Sequence, residues 1–161
     1  MNLGAICSSE TSHVKGTYTI ILANRRRSGV RFGKLGYAKL TSGYYLYTGS
    51  ALGRGSVSLE NRLARHFRSA KTIRWHIDYL TTHPTCKVIG ALYLKSNRHL
   101  ECAINKTICE NLQAQPVLPN IGASDCGCKG HLLRPTSCET EADLLEALRR
   151  VYSRFGMPML L

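Results

Sequence analysis

The spacing of apolar and polar positions changes several times along the chain, and each change marks an element. Residues 16 to 24, GTYTIILAN, are dense in β-branched and aromatic side chains. A period of two sets Tyr18, Ile20 and Leu22 on one face and Thr17, Thr19 and Ile21 on the other, which predicts a strand. Residues 44 to 49, YYLYTG, alternate in the same way and predict a second, with Tyr45, Tyr47 and Gly49 opposed to Tyr44, Leu46 and Thr48. Two such strands joined by one loop should pair antiparallel. The loop, RRRSGVRFGKLGYAKLTSG, sets Arg25, Arg26, Arg27, Arg31, Lys34 and Lys39 among four glycines, so it predicts a long basic connection with a short strand near Val30 to Phe32.

Past the turn Leu52-Gly53-Arg54-Gly55, Ser56 or Ser58 with Glu60 opens a helix. Leu59, Leu63 and Phe67 form its apolar stripe, and Arg62 and His66 share the adjacent face. A second helix is predicted over residues 74 to 80, with Trp75 and Tyr79 on its buried side, and a third strand over residues 86 to 94, CKVIGALYL. Leu100, Ile104, Ile108 and Leu112 mark another helix, flanked by Glu101 and Asn105. Residues 113 to 138 are irregular and rich in Pro, Gly and Cys. From Glu139 a last helix turns Leu144, Leu148, Val151, Tyr152 and Phe155 inward. Three strands and four helices give an α/β (α+β) domain over residues 16 to 161, a small three-stranded, mainly antiparallel sheet flanked by helices. Residues 1 to 15 carry no periodic pattern and read as a loose leader.

Composition sharpens this picture. A chain of 161 residues, 43% hydrophobic and 20% charged, suits one domain with its own core. A formal charge of +12 favours a polyanion, with nucleic acid ahead of acidic proteins or anionic membrane surfaces. No apolar run approaches the ~20 residues of a membrane helix, and the first residues lack the basic and apolar regions of an export signal. Seven cysteines, an odd number, fit reduced thiols in a cytoplasmic protein better than a closed disulfide framework.

The motifs point to a particular chemistry. Gly16-Thr17-Tyr18 at the start of the first strand and Tyr47-Thr48-Gly49 at the end of the second resemble the paired signature of the GIY-YIG nuclease superfamily. The segment YTGSALGRGSVSLENRLARHF is similar to the stretch of phage homing endonucleases that runs from their second triplet to an Arg, three further residues and a His, here Arg62 and His66. WHIDYL, LEC and SDCGCKGHL further resemble a Uri-type or DUF123-like subgroup. The resemblance spans residues 16 to 133. It departs from the pattern in having Thr for Ile within both triplets and a longer loop between the strands.

The resemblance implies a GIY-YIG-like fold and a metal-dependent endonuclease that hydrolyses phosphodiester bonds in DNA. It makes Glu101 the ligand of Mg²⁺ or Mn²⁺, a carboxylate suited to hard, oxygen-seeking ions. Arg62 would grip the scissile phosphate through paired donors. Tyr18 would activate water, with its phenol drawn below the ordinary value of about 10 by nearby positive charge. Tyr47 would orient water or phosphate, and His66 and His76 would accept a proton or meet the leaving group. Gly49 would let the backbone approach substrate closely, beside Ser50, with Lys34, Arg54 and Arg65 on the phosphates.

Cys126-Gly-Cys128-Lys-Gly-His131 is a separate puzzle, because its thiols and imidazole could take Zn²⁺ with Cys102 or Cys138 as fourth donor. Alternatively the thiols are packed, and Asp125 and His131 brace the loop near the active site. Two other functions stay open beside the nuclease: a catalytically inactive nucleic-acid-binding module and a zinc-stapled interaction domain.

Overall fold

The computed structural model describes residues 13–161. Its axis is β1 (Gly16–Asn24), for β2 (Ser28–Arg31) and β3 (Tyr37–Leu40) form a separate antiparallel ribbon while β1 pairs antiparallel with β4 (Gly43–Ala51) on one side and β5 (Cys86–Lys95) on the other. β1, β4 and β5 are the three predicted strands and β2 answers to the short strand expected near Val30 to Phe32, while β3 was not expected; the sheet of β1, β4 and β5 has six strands. The additions are β6 (Gln115–Pro116), β7 (Leu132–Arg134) and β8 (Met159–Leu160), in the order β6-β7-β4-β1-β5-β8 with every pairing antiparallel. The expectation of three strands falls short for a physical reason: elements of two or three residues are too short to display alternation.

Four helices cover the sheet: α1 (Leu59–Phe67), α2 (Asp78–Thr81), α3 (Glu101–Asn111) and α4 (Glu141–Ser153). Ser58 and Thr140 cap α1 and α4 by accepting the amides of Asn61 and Asp143. That cap starts α4 two residues after Glu139. Helix α2 is a single turn rather than the span 74 to 80, because the Asp78 carboxylate accepts the backbone N–H of Arg74 at 2.8 Å and of Trp75 at 3.0 Å, holding those residues in a turn.

Both faces of β1 are buried. On one, Tyr18, Ile20 and Leu22 join Tyr45, Leu59, Leu63, Ile77 and Leu80, together with Val30, Phe32 and Leu40 of the ribbon. On the other, Ile21 meets Leu46, Leu92, Ile104, Ile108, Leu144, Leu148 and Tyr152. On that second face Thr19 Oγ1 lies 2.9 Å from Thr48 Oγ1 and 2.8 Å from Tyr152 Oη, whereas the buried Thr17 Oγ1 has no partner among the described residues. The inward stripe of α1 is Leu59, Leu63 and His66, with Phe67 40% exposed, so the histidine occupies the place expected of the phenylalanine. Order reaches back at least to Val14, which packs on the core and accepts the Leu59 amide at 2.9 Å. Residues 1 to 12 of the expected leader lie outside the described residues. Among the described residues no helix is long and apolar enough to cross a membrane.

Candidate active site

A cavity of about 710 Å³ lies where the triplets, α1 and the start of α3 converge. Tyr18 and Tyr47 reach it from β1 and β4, Gly49 and Ser50 from the end of β4, Arg62 from α1, His76 from the turn before α2 and Glu101 from the first residue of α3. These predicted residues are therefore brought together across 84 positions of sequence, from 18 to 101.

The two triplets are linked by register. Tyr18 stands directly opposite Gly49 in the β1–β4 pair. A Cβ on Gly49 would sit 2.6 Å from Tyr18 Oη and 2.8 Å from Cζ, well inside ordinary contact. The glycine thus makes room for the tyrosine ring, which is more specific than the close backbone approach to substrate expected from sequence. Behind the ring lies His66, 1% exposed, whose Nε2 is 2.8 Å from Tyr18 Oη. Burial pushes the Tyr18 phenol up to about 12, prevailing over the neighbouring Arg62. Burial, with Lys71 next, brings His66 down to about 3. A neutral imidazole facing a neutral phenol shares one proton across this contact; with the ring proton on the unpartnered Nδ1, Tyr18 donates its O–H to Nε2. The lowered Tyr18 pKa expected from sequence is reversed because desolvation outweighs one guanidinium. Tyr47 is likewise driven well above an ordinary phenol by burial, then by Tyr18 and Glu101.

The opposite wall is a stack of cations on an aromatic ring. The guanidinium carbons of Arg62 and Arg65 each lie 4.9 Å from the Trp75 ring centroid. Arg65 also donates to Asp78 at 2.5 Å and to the Thr72 carbonyl at 2.7 Å, so it serves the fold. Asp78 is the hub of that wall. Burial raises its carboxyl, but the Trp75 and Arg74 amides, Arg65 and Lys71 more than compensate and hold it below the ordinary range. Arg62 has no carboxylate partner among the described residues.

Glu101 completes the site. One carboxylate oxygen accepts from Ser50 Oγ at 2.5 Å, and the other lies 2.6 Å from His131 Nδ1. The latter pair is a close electrostatic contact rather than a well-aligned hydrogen bond, and Nδ1 has no other partner. Burial raises the Glu101 carboxyl, while His131, Ser50 and Arg62 outweigh it, so the group is held below the usual carboxylate value and stays anionic. Behind His131, the donor atoms of Cys102, Cys126, Cys128 and His131 all lie within 4.8 Å of one another, a cluster that could hold a metal ion. Cys102, rather than Cys138, is its fourth member.

Not every expected residue lines the cavity. His66 and Arg65 stand behind it, and the exposed Lys34 and Arg54 lie outside its lining. Trp75, Arg74, Tyr79, His99 and Gly122 do line it, although sequence reading gave none of them a role at the site. The basic ribbon is nonetheless adjacent, since a Cβ on Gly33 would meet Tyr79 Oη at 3.0 Å and the Phe32 ring packs edge-on to Tyr79. The signal for Trp75 was present in its neighbour Asp78: a carboxylate placed to capture two preceding amides implies a turn, and a turn aims the indole differently from a helix.

Among known proteins, the family model described as "Domain of unknown function DUF123" matches residues 17–156. No curated protein and no solved structure matches the chain.

Proposed function

Because the chain belongs to the DUF123 family, whose description assigns no activity, we propose from the site itself that it is a GIY-YIG-type endonuclease, cleaving DNA phosphodiesters with Mg²⁺ or Mn²⁺. The carrying observation is that Tyr18, Tyr47, Arg62 and Glu101 line one cavity, with Arg62 in no salt bridge among the described residues. A net charge of +12 and the basic ribbon beside the cavity favour a polyanionic substrate whose contacts are mostly to backbone phosphate.

Glu101 fits a hard divalent ion: it is anionic, 22% exposed at its side chain, and its two oxygens are oriented from behind by Ser50 and His131. Asp125 also lines the cavity as a second carboxylate. Such an ion supplies Lewis-acid polarisation of a phosphoryl oxygen. The chain's own residues do the remainder. Arg62, prestacked on Trp75, donates to the phosphoryl oxygens as charge develops there. Tyr18, its own proton turned to His66, presents an oxygen lone pair that orients the attacking water. Water can then pass a proton to Tyr18 as Tyr18 passes its own to Nε2. A free phenolate with pKa about 12 would cost about 7 kcal/mol at pH 7, which this hand-over avoids. His76, which lines the cavity, is available to meet the departing oxygen. The cysteine cluster suits a structural Zn²⁺, being three thiolates and an imidazole.

Glu101→Ala tests the reading. Wild type should cut DNA with Mg²⁺ or Mn²⁺, and the variant should bind DNA with unchanged affinity but not cut. Binding without cutting by wild type across single-stranded, duplex and branched DNA would favour the inactive binding module instead.

A further inference from the structure

His131 touches two centres at once. Its ring is fully buried, with Nε2 3.5 Å from Cys126 Sγ and Nδ1 2.6 Å from Glu101 Oε1. Ordinary Zn–S and Zn–N bonds of about 2.3 and 2.0–2.1 Å, set tetrahedrally, separate sulfur from nitrogen by about 3.6 Å. The Cys126 to His131 spacing already matches such an edge.

The chain converges on this point from two directions. Cys102 follows Glu101 in the first turn of α3, while Cys126, Cys128 and His131 belong to an irregular segment that leads into β7. That segment is tied down by backbone bonds, among them the amide of Asn120 to the Lys129 carbonyl, that of His131 to the Ile121 carbonyl and that of Thr48 to the His131 carbonyl, and Asn105 Nδ2 of α3 reaches the Gly130 carbonyl at 3.1 Å. It also forms cavity wall through Gly122, Ser124 and Asp125. A Cβ on Gly122 would lie 2.8 Å from the Tyr47 ring and 3.1 Å from His131 Cβ, so the segment's placement is felt directly by Tyr47.

We propose that Cys102, Cys126, Cys128 and His131 bind one Zn²⁺, and that His131 is a positioning residue through which this metal fixes the carboxylate of Glu101. The metal fixes which nitrogen keeps the proton. The anionic Glu101 oxygen 2.6 Å from Nδ1 already favours a proton there, although the pair is poorly aligned as a hydrogen bond. A metal on Nε2 would lock the one ring proton on Nδ1, facing the Glu101 carboxylate. The carboxylate is then held between that N–H and Ser50 Oγ. Partners of this second kind tune both the ligand they touch and the metal behind it, typically by 10- to 100-fold in affinity. The thiolate site is therefore part of the cleaving site's support and not a remote staple.

The proposal rests on the nuclease reading only for what Glu101 is held to do, so its test avoids DNA. Metal-free protein is titrated with Co²⁺, whose visible and thiolate charge-transfer bands report the S₃N set, and Zn²⁺ affinity is obtained by competition. Wild type should bind one Co²⁺. Glu101→Gln, the same size, should weaken Co²⁺ and Zn²⁺ binding about 10-fold or more and shift the visible bands. His131→Cys retains four soft ligands but removes the imidazole bridge, so adding Glu101→Gln to it should change nothing. Cys128→Ser should abolish the tight site. Absence of Co²⁺ binding by wild type would overturn the metal site, and equal affinities for wild type and Glu101→Gln would overturn the coupling. Failure to cut DNA alongside intact coupling would strike the nuclease reading alone.

Discussion

Replacing Gly49 with alanine places a methyl group where the structure has no room. The new Cβ would stand 2.6 Å from Tyr18 Oη and 2.8 Å from Cζ, whereas ordinary contact begins at 3.4 Å. The two residues are paired in the centre of the six-stranded sheet, so the backbones cannot separate without breaking the register that also aligns Ile20 with Tyr47 and Leu22 with Tyr45. The ring must move instead, by roughly 0.6–0.8 Å. Its far side is occupied by His66, whose centroid is 5.3 Å away and whose Nε2 takes the phenol proton. Overpacking of this kind costs about 1–3 kcal/mol, and a strained buried hydrogen bond adds about 0.5–1.5 kcal/mol. For a chain of this length a loss of about 2–4 kcal/mol lowers Tm by roughly 5–15 °C.

Calorimetry and urea unfolding measure this directly, and Tyr18→Phe supplies the control. Without Oη the closest contact is gone, so Gly49→Ala should cost about 1 kcal/mol less in the Tyr18→Phe background than in wild type. Cleavage should fall by about 100-fold in Gly49→Ala, since a shift of about 1 Å at a reacting group has that effect. A Gly49→Ala protein that melts within ~1 °C of wild type, or a cycle with no coupling, would refute the argument that the second triplet's glycine exists to seat the first triplet's tyrosine.

Two further outcomes follow from the same wall of the site. His66 is held at about 3 by burial and then by Lys71, against about 6.5 when unfolded. The unfolded chain therefore takes up a proton below pH 6.5 that the folded one refuses, and the stability present above that pH declines as the pH falls toward 3. Between pH 7 and 4.5 this amounts to about 2–3 kcal/mol, so urea midpoints of His66→Gln should fall less than those of wild type over that interval by the corresponding amount; equal falls would exclude it. Trp75→Leu removes the platform under Arg62 while keeping apolar bulk, and should raise KM for DNA about 3- to 10-fold with a smaller change in kcat. An unchanged KM would mean the stack does not prepare Arg62 for phosphate.

What could be read from sequence depended on how local its cause was. β1 was legible to the residue, because nine consecutive positions with both faces apolar or hydroxylic have no other comfortable state. The short outer strands were not, since β6, β7 and β8 are strands only by virtue of the neighbours that pair with them. Arg62 and Glu101, which the motif put in one site, line one cavity, whereas His66, put in the same site, is buried behind it. Helical spacing alone could not choose between His66 and Phe67 for the inward position. Only the Tyr18 hydroxyl, contributed from another element, makes the histidine the better fit. The double contact of His131 was invisible for the same reason: CGCKGH displays its metal-binding half, and the carboxylate half arrives from α3.

The electrostatics of Tyr18 and His66 also say when the site can act. Lys71, Arg62 and Arg65 all oppose a positive charge on His66, with Asp78 the one nearby anion in its favour. In the empty site, proton hand-over from Tyr18 to His66 is therefore uphill by several kcal/mol, since burial penalises both the phenolate and the imidazolium. A phosphodiester against Arg62 offsets one of the cations that oppose charge on His66; because Tyr18 ends the hand-over neutral and only His66 gains charge, the bound anion lowers the cost of the relay. The relay then becomes usable only with substrate in place. That ordering protects a buried base from premature protonation and links water activation to phosphate binding through one guanidinium, which is why a lysine at position 62, unable to stack flat on Trp75 and bridge two oxygens, would serve both tasks poorly.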